Sequence, residues 1–323
     1  MRLIDVEVRR YGWPALRCGC GKTAEHLADD LVRLAEAKSR EEARVLCIDD
    51  HALIQSFPQE AAAPVTSVLM AALAGALSHG ARIQCLDLLI RLVDTDDDES
   101  SEMCQQIARQ GLWGLYRDLW SGTSRDLVGY AYEILRVLET DEDRLRAYRN
   151  SGQLNLPDDL ADETPDPSMG LAHAELERHD WDATRCGCGR SAGHLLATLE
   201  TILAGGASGA VRSLDDHVLI QSVLMPPAPA VCAVVMAHLA DGMAVAQEQE
   251  VLWLLLALVA GEVDGDSVED SLQMRCVETV RDGLWLLYRA YLDAGGPVAK
   301  GSAGDVLEIV EWDPVRLEHY RTR

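Results

Sequence analysis

Phenylalanine is almost missing from this chain: one residue in 323, beside seven tryptophans and eight tyrosines. Leu, Ala and Val must therefore fill the core, a composition that favours helices over strands. Basic residues are also scarce. The 29 Lys and Arg stand against 53 Asp and Glu, a formal charge of −24. A field of that sign repels nucleic-acid phosphate and anionic membrane surfaces, so neither is expected as a partner. It suits a basic protein, or simple solubility. Long apolar runs are lacking too: the longest, Val251 to Val259, is too short to span a bilayer. The first residues, Met1 to Glu7, hold no apolar stretch, so no secretory signal is read there and a cytoplasmic protein is expected. Nine cysteines, an odd number, then point to free thiols or metal thiolates, not to a disulfide framework.

What the chain does contain is a repeat. Arg17-Cys18-Gly19-Cys20-Gly21-Lys22-Thr23-Ala24-Glu25-His26-Leu27 returns as Arg185-Cys186-Gly187-Cys188-Gly189-Arg190-Ser191-Ala192-Gly193-His194-Leu195. Asp49 to Ser56 returns as Asp215 to Ser222, sharing Asp-Asp-His and Leu-Ile-Gln-Ser. Gly111-Leu112-Trp113 and Leu115-Tyr116-Arg117 return as Gly283-Leu284-Trp285 and Leu287-Tyr288-Arg289. Order is kept throughout, so the chain is a tandem duplication: an N-terminal half at 1–150 and a C-terminal half at 169–323. Residues 151–168, with three prolines and many acidic residues, read as an exposed linker.

Periodicity within each half is helical. Leu27, Leu31 and Leu34 at i, i+4, i+7 predict a helix from Thr23 to about Lys38, with Thr23 as cap and Ser191 as its counterpart. Ser39-Arg40-Glu41-Glu42 has capping-box spacing. Asp49 or Asp50 is expected to cap a third helix with Leu53, Ile54 and Phe57 on its inner face. Further helices are expected from Pro64, over Ile83 to Val93, from Ser100 or Ser101 through Cys104, Leu112 and Leu115, and over Leu127 to Leu138. No alternating strand of useful length is found. The fold class is therefore all-α, two homologous helical halves. Short amphipathic helices in series, from Pro64 to Leu119 and again in the second half, resemble the paired helices of HEAT and armadillo repeats over 60–150 and 228–323. That resemblance implies an α-solenoid whose concave face binds another macromolecule, usually a protein.

Two thiols on a glycine-rich turn, as in Cys18-Gly19-Cys20-Gly21, suit one metal ion, since glycine lets the backbone bring both sulfurs to one side. A Cys-x-Cys disulfide would close a strained ring. Two more ligands complete a tetrahedral zinc site. The halves share His26/His194, His51/His217, Cys104/Cys276 and the neighbouring Asp pairs. His26 lies on the polar face of its helix, and His51 has acidic neighbours that could orient its ring. The expected sets are Cys18, Cys20, His26 and His51, and Cys186, Cys188, His194 and His217, with two zinc ions per chain. Cys104 and Cys276 are weaker candidates, because Cys104 falls in line with Ala108, Leu112 and Leu115 on an apolar face. Cys47, Cys85 and Cys232 lack counterparts.

Other signals carry a bland reading beside the functional one. Gly19 to Thr23 resembles the end of a phosphate-binding loop, but Leu16 stands where its first glycine belongs. Asp49-Asp50-His51 could do acid–base work or simply open a helix. Trp113, Tyr116, Arg117, Trp285, Tyr288 and Arg289 read as core packing with snorkelling arginines, or as a partner-binding patch. The expected function is a non-catalytic binding protein, an adaptor or an immunity-type inhibitor of a basic partner. The alternatives are a zinc hydrolase with Asp49 or Asp50 near the metal, and a small-molecule binder.

Overall fold

The computed structural model describes the chain except residues 96–97, 121–123, 152–169, 207–208, 263–270 and 295. The linker read at 151–168 falls outside the described residues save Ser151. The fold is all-α. Two compact units divide it: Met1–Pro165 together with Glu318–Arg323, and Asp166–Leu317.

The first unit runs α1 (Leu3–Val8), α2 (Glu25–Glu36), α3 (Arg40–Arg44), α4 (Asp49–Ala52), a hairpin of β1 (Leu53–Ile54) and β2 (Phe57–Pro58), α5 (Ala62–Ala74), α6 (His79–Val93), α7 (Asp98–Arg109), α8 (Leu112–Trp120), α9 (Arg125–Leu138) and α10 (Glu142–Ser151). In α5 nearly every residue is buried, because α1, α6 and α7 pack around it. Leu27, Leu31 and Leu34 of α2 are buried as their spacing predicts.

The second unit repeats the plan with α11 (Leu171–Arg178), α12 (Leu196–Leu203), a hairpin of β3 (Leu219–Ile220) and β4 (Val223–Leu224), α13 (Ala228–Asp241), α14 (Val245–Val259), α15 (Leu272–Arg281), α16 (Leu284–Asp293) and α17 (Pro297–Val310). Here α13 takes the central position against α11, α14 and α15. The last helix, α18 (Pro314–Arg321), carries the chain into the residues grouped with the first unit. There the Tyr320 hydroxyl donates to buried Glu7 at 2.8 Å.

Several local expectations change. Thr23 caps nothing: it still bridges back to Arg17, so α2 starts at Glu25 behind Ala24. Ser191 likewise bridges Arg185, and the chain passes through a 3-10 turn, Ala192–Leu195, before α12. Ser39 does cap, accepting from the Glu42 N–H, while the Glu42 carboxylate takes the N–H of Lys38. Asp49 and Asp50 lie inside the first turn of α4, not before it.

The helix expected to carry Leu53, Ile54 and Phe57 inward stops at Ala52. Gln55 and Ser56 both take positive φ, 50° and 70°, and close a hairpin that leaves Ile54 and Phe57 exposed. Gln221 and Ser222 repeat this at 49° and 71°. The helix expected to run from Ser100 through Leu115 breaks at Gln110-Gly111 into α7 and α8. No helix among the described residues is long and apolar enough to cross a membrane.

Candidate metal centres

Each centre is built by a cysteine turn and the segment just before the hairpin, which is the end of α4 in the first unit and a turn after the 3-10 segment Val211–Leu214 in the second. In the first unit the Cys18 N–H donates to Lys22 O, and the Gly21 N–H returns to Cys18 O, folding a tight knuckle. Gly21 sits at φ +77°, where a side chain would be strained. Gly19 donates its N–H to His51 O at 2.8 Å, and a Cβ there would lie 2.8 Å from Asp50 O. This close approach presses the knuckle onto the end of α4 and brings a histidine 33 positions away beside Cys18. Behind the turn the Trp13 indole N–H donates to Val8 O at 2.7 Å and anchors the segment.

The resulting geometry is compact. Cys18 Sγ lies 3.3 Å from Cys20 Sγ, 3.6 Å from His26 Nε2 and 3.1 Å from His51 Nδ1, and the two ring nitrogens are 3.1 Å apart. The second unit repeats it: Cys186 Sγ to His194 Nε2 3.7 Å, Cys186 Sγ to His217 Nδ1 3.2 Å, Cys188 Sγ to His194 Nε2 3.7 Å, and the nitrogens 3.2 Å apart. In each set all four donor atoms fall within 4.8 Å of one another and could hold a metal ion. Gly187 and Gly189 keep the roles of Gly19 and Gly21, with the Gly187 N–H on His217 O at 3.0 Å and Gly189 at φ +86°. Trp181 donates to Leu176 O at 2.7 Å, as Trp13 does to Val8.

Electrostatics favour thiolate at the outer cysteines. The Lys22 N–H and the neighbouring Cys18 thiol lower Cys20. The Arg190 guanidinium, 3.5 Å from Cys188 Sγ, with its backbone N–H, brings Cys188 down to about 6. Burial instead raises Cys18 and Cys186. Burial, with His26 nearby, lowers His51 and keeps its ring neutral, the form that ligates. His194 Nδ1 lies 2.7 Å from Ser191 O; donation there leaves the Nε2 lone pair facing the thiols. The acidic neighbours expected to orient His51 are engaged elsewhere in part, since the Asp49 carboxylate accepts from Arg91 at 2.8 Å.

Cys104 and Cys276 stand in neither group. Both are fully buried. Cys104 packs at Thr66, and Cys276 packs at Cys232, whose thiol approaches Cys276 O at 3.6 Å. Thr66 and Cys232 are thus one position of the repeat holding two residue types, which is why Cys232 lacks a cysteine counterpart. The aromatic pairs are interior: Trp113, Tyr116, Trp285 and Tyr288 are all at most 1% exposed. Tyr116 donates to Glu139, which Arg144 also binds, and Tyr288 donates to Glu311, which Arg316 binds. Arg117 and Arg289 are half-buried on the carbonyls of Leu73 and Leu239. Burial therefore removes the four aromatics from the surface patch considered for partner binding. No family model, no curated protein and no solved structure matches this chain.

Proposed function

We propose that the chain is a non-catalytic helical scaffold for a basic protein partner, with one structural zinc ion in each repeated module. The observation that carries this reading is the pair of closed Cys2His2 sets. Around one tetrahedral zinc, sulfurs sit about 3.8 Å apart, sulfur and nitrogen about 3.5 Å, and nitrogens about 3.3 Å, from Zn–S near 2.3 Å and Zn–N near 2.0–2.1 Å. The shorter separations here, 3.1 to 3.7 Å, lie within about half an ångström of those edges, and all four donors of each set fall within 4.8 Å of one another. Four protein donors leave no open position for water, which speaks for a structural ion and against the hydrolase alternative. A metal would staple the Cys18–Cys20 turn to the end of α4. The charge of −24 supports a basic partner, as does the HEAT-like helix pairing, a resemblance that implies a protein-binding surface.

The test is metal content of protein purified without added metal, read beside a thiol titration. The expected result is two zinc ions per chain, with Cys18, Cys20, Cys186 and Cys188 protected until a chelator is added. Metal-free protein with these four thiols reactive overturns the zinc reading. For the partner, stoichiometric co-purification of one basic protein at low ionic strength, released by salt, is expected. Recovery of the chain alone under those conditions overturns that half of the proposal.

A further inference from the structure

The two modules differ where α6 and α14 face the segment before the hairpin. In the first unit this crevice is filled. Helix α3 lies on α6, and the remaining void, lined by Arg44, Gln84 and Asp87 among others, is about 10 Å³. In the second unit a 3-10 turn, Val211–Leu214, precedes the hairpin, and a cleft of about 380 Å³ is lined by residues of that turn, of α14 and of α17. That volume falls in the range of small-molecule sites.

The lining is specific. Trp253 of α14 neighbours Gln249 at i+4 and Glu250 at i+3, and all three line the cleft. Val298 and Ser302 come from α17 and Arg212 from the 3-10 turn. With the repeat offset of 166, from 49→215, Trp253 stands where the first unit has Asp87, and Glu250 where it has Gln84. An ion-pairing residue has thus become a tryptophan 44% exposed. Arg212 and Glu250 line the same cleft without an ion-pair or hydrogen-bond partner among the described residues. Two opposite charges in one small cleft that do not neutralise each other leave both available to a ligand that carries both signs.

We propose that this cleft binds a free zwitterionic α-amino acid with an aromatic side chain. Its carboxylate pairs with the Arg212 guanidinium, whose planar donors suit bidentate contact. Its ammonium meets Glu250, with Gln249 and Ser302 supplying further hydrogen-bonding groups. Its ring stacks on Trp253 and covers the exposed Val298. The site lies wholly in the second unit and is independent of whether the Cys2His2 sets hold metal.

The experiment is isothermal titration calorimetry of the full chain with L-phenylalanine, L-tyrosine and L-tryptophan, beside their N-acetyl and carboxamide forms. One site per chain is expected for the free amino acids. Arg212→Gln, Glu250→Gln and Trp253→Ala should each weaken binding roughly tenfold or more, as loss of a charged hydrogen bond or a stacking face does. Acetylation should mimic Glu250→Gln and amidation Arg212→Gln, while Arg44→Gln in the first unit leaves binding unchanged. Circular dichroism of each variant separates loss of the site from loss of fold; the four positions are partly or fully exposed, so each variant is expected to fold. No saturable binding at millimolar ligand overturns the proposal. So does binding indifferent to capping or to these variants, or a preference for a basic peptide over the free amino acids.

Discussion

Cys18 Sγ stands 3.1 Å from His51 Nδ1, and Cys186 Sγ stands 3.2 Å from His217 Nδ1, across 33 and 31 positions of sequence. The backbone makes both pairs alike, because the glycine after each inner cysteine donates to the carbonyl of the same histidine. A side-chain relationship kept twice by a backbone hydrogen bond is the frame on which the metal reading depends.

Removing one histidine should therefore empty one site only. His51→Ala is expected to lower the zinc content from two per chain to one, His217→Ala to do the same, and the double variant to abolish it. Elemental mass spectrometry reads the count. Because metal binding is linked to folding of its own module, each single variant should also lower the midpoint of thermal unfolding. Retention of two ions in either single variant would show that other groups complete the shell.

The two glycines of the first knuckle should separate by mechanism. At Gly19 a Cβ meets the carbonyl oxygens of Asp50 and His51 at 2.8 and 3.1 Å, so Gly19→Ala must lift the turn off α4. The expected loss is about 1–3 kcal/mol together with the first metal ion. At Gly21 nothing lies within 4 Å and only the positive φ resists, so Gly21→Ala is expected to cost about 1 kcal/mol and to keep the metal. Chemical denaturation and metal content distinguish the two outcomes.

The hairpin turns are open to improvement. Gln55-Ser56 and Gln221-Ser222 hold left-handed conformations that Asn-Gly adopts with less strain. Gln55→Asn with Ser56→Gly is expected to stabilise the chain by about 1 kcal/mol, read as a higher denaturation midpoint at unchanged slope. Weakened metal retention in that variant would show that the turn side chains serve the centre.

Glu175 sets a pH dependence. Burial alone would raise its carboxyl, but hydrogen bonds from His179 at 2.9 Å and Arg178 at 2.8 Å outweigh it and hold the group at about 2. A carboxylate depressed on folding stabilises above its unfolded value and loses that contribution as pH falls toward its folded one. The stability that Glu175 adds, on the order of 3 kcal/mol, is thus expected to be complete above about pH 5 and to fade between about 4.5 and 2. Glu175→Gln should flatten that part of a plot of unfolding free energy against pH. An identical acid limb in the variant would assign the dependence to other carboxylates.

Much of this protein is written in local spacing. The duplication shows as strings kept in order, the helices as Leu27-Leu31-Leu34 and its kin, and the Cys/His sets as residues kept in both halves; helical periodicity without alternating strands leads to the all-α class. These are legible because a helix period needs only neighbours in sequence, and a repeat needs only the chain compared with itself. Other features waited on tertiary contact. Thr23 looks like a cap until its bridge to Arg17 holds it in the knuckle. Ile54 and Phe57 have the right spacing for a buried helical face, but the Gln55-Ser56 turn points them to solvent. Trp113 and Tyr116 have the chemistry of a contact patch, yet closure of α8 against α9 buries them and gives the hydroxyl to Glu139. Sequence by itself determined the helical class, most of the helices and which residues recur. Only packing decided which faces those elements hide and where a crevice closes or opens, because burial and cavity volume are properties of three or more elements meeting in space.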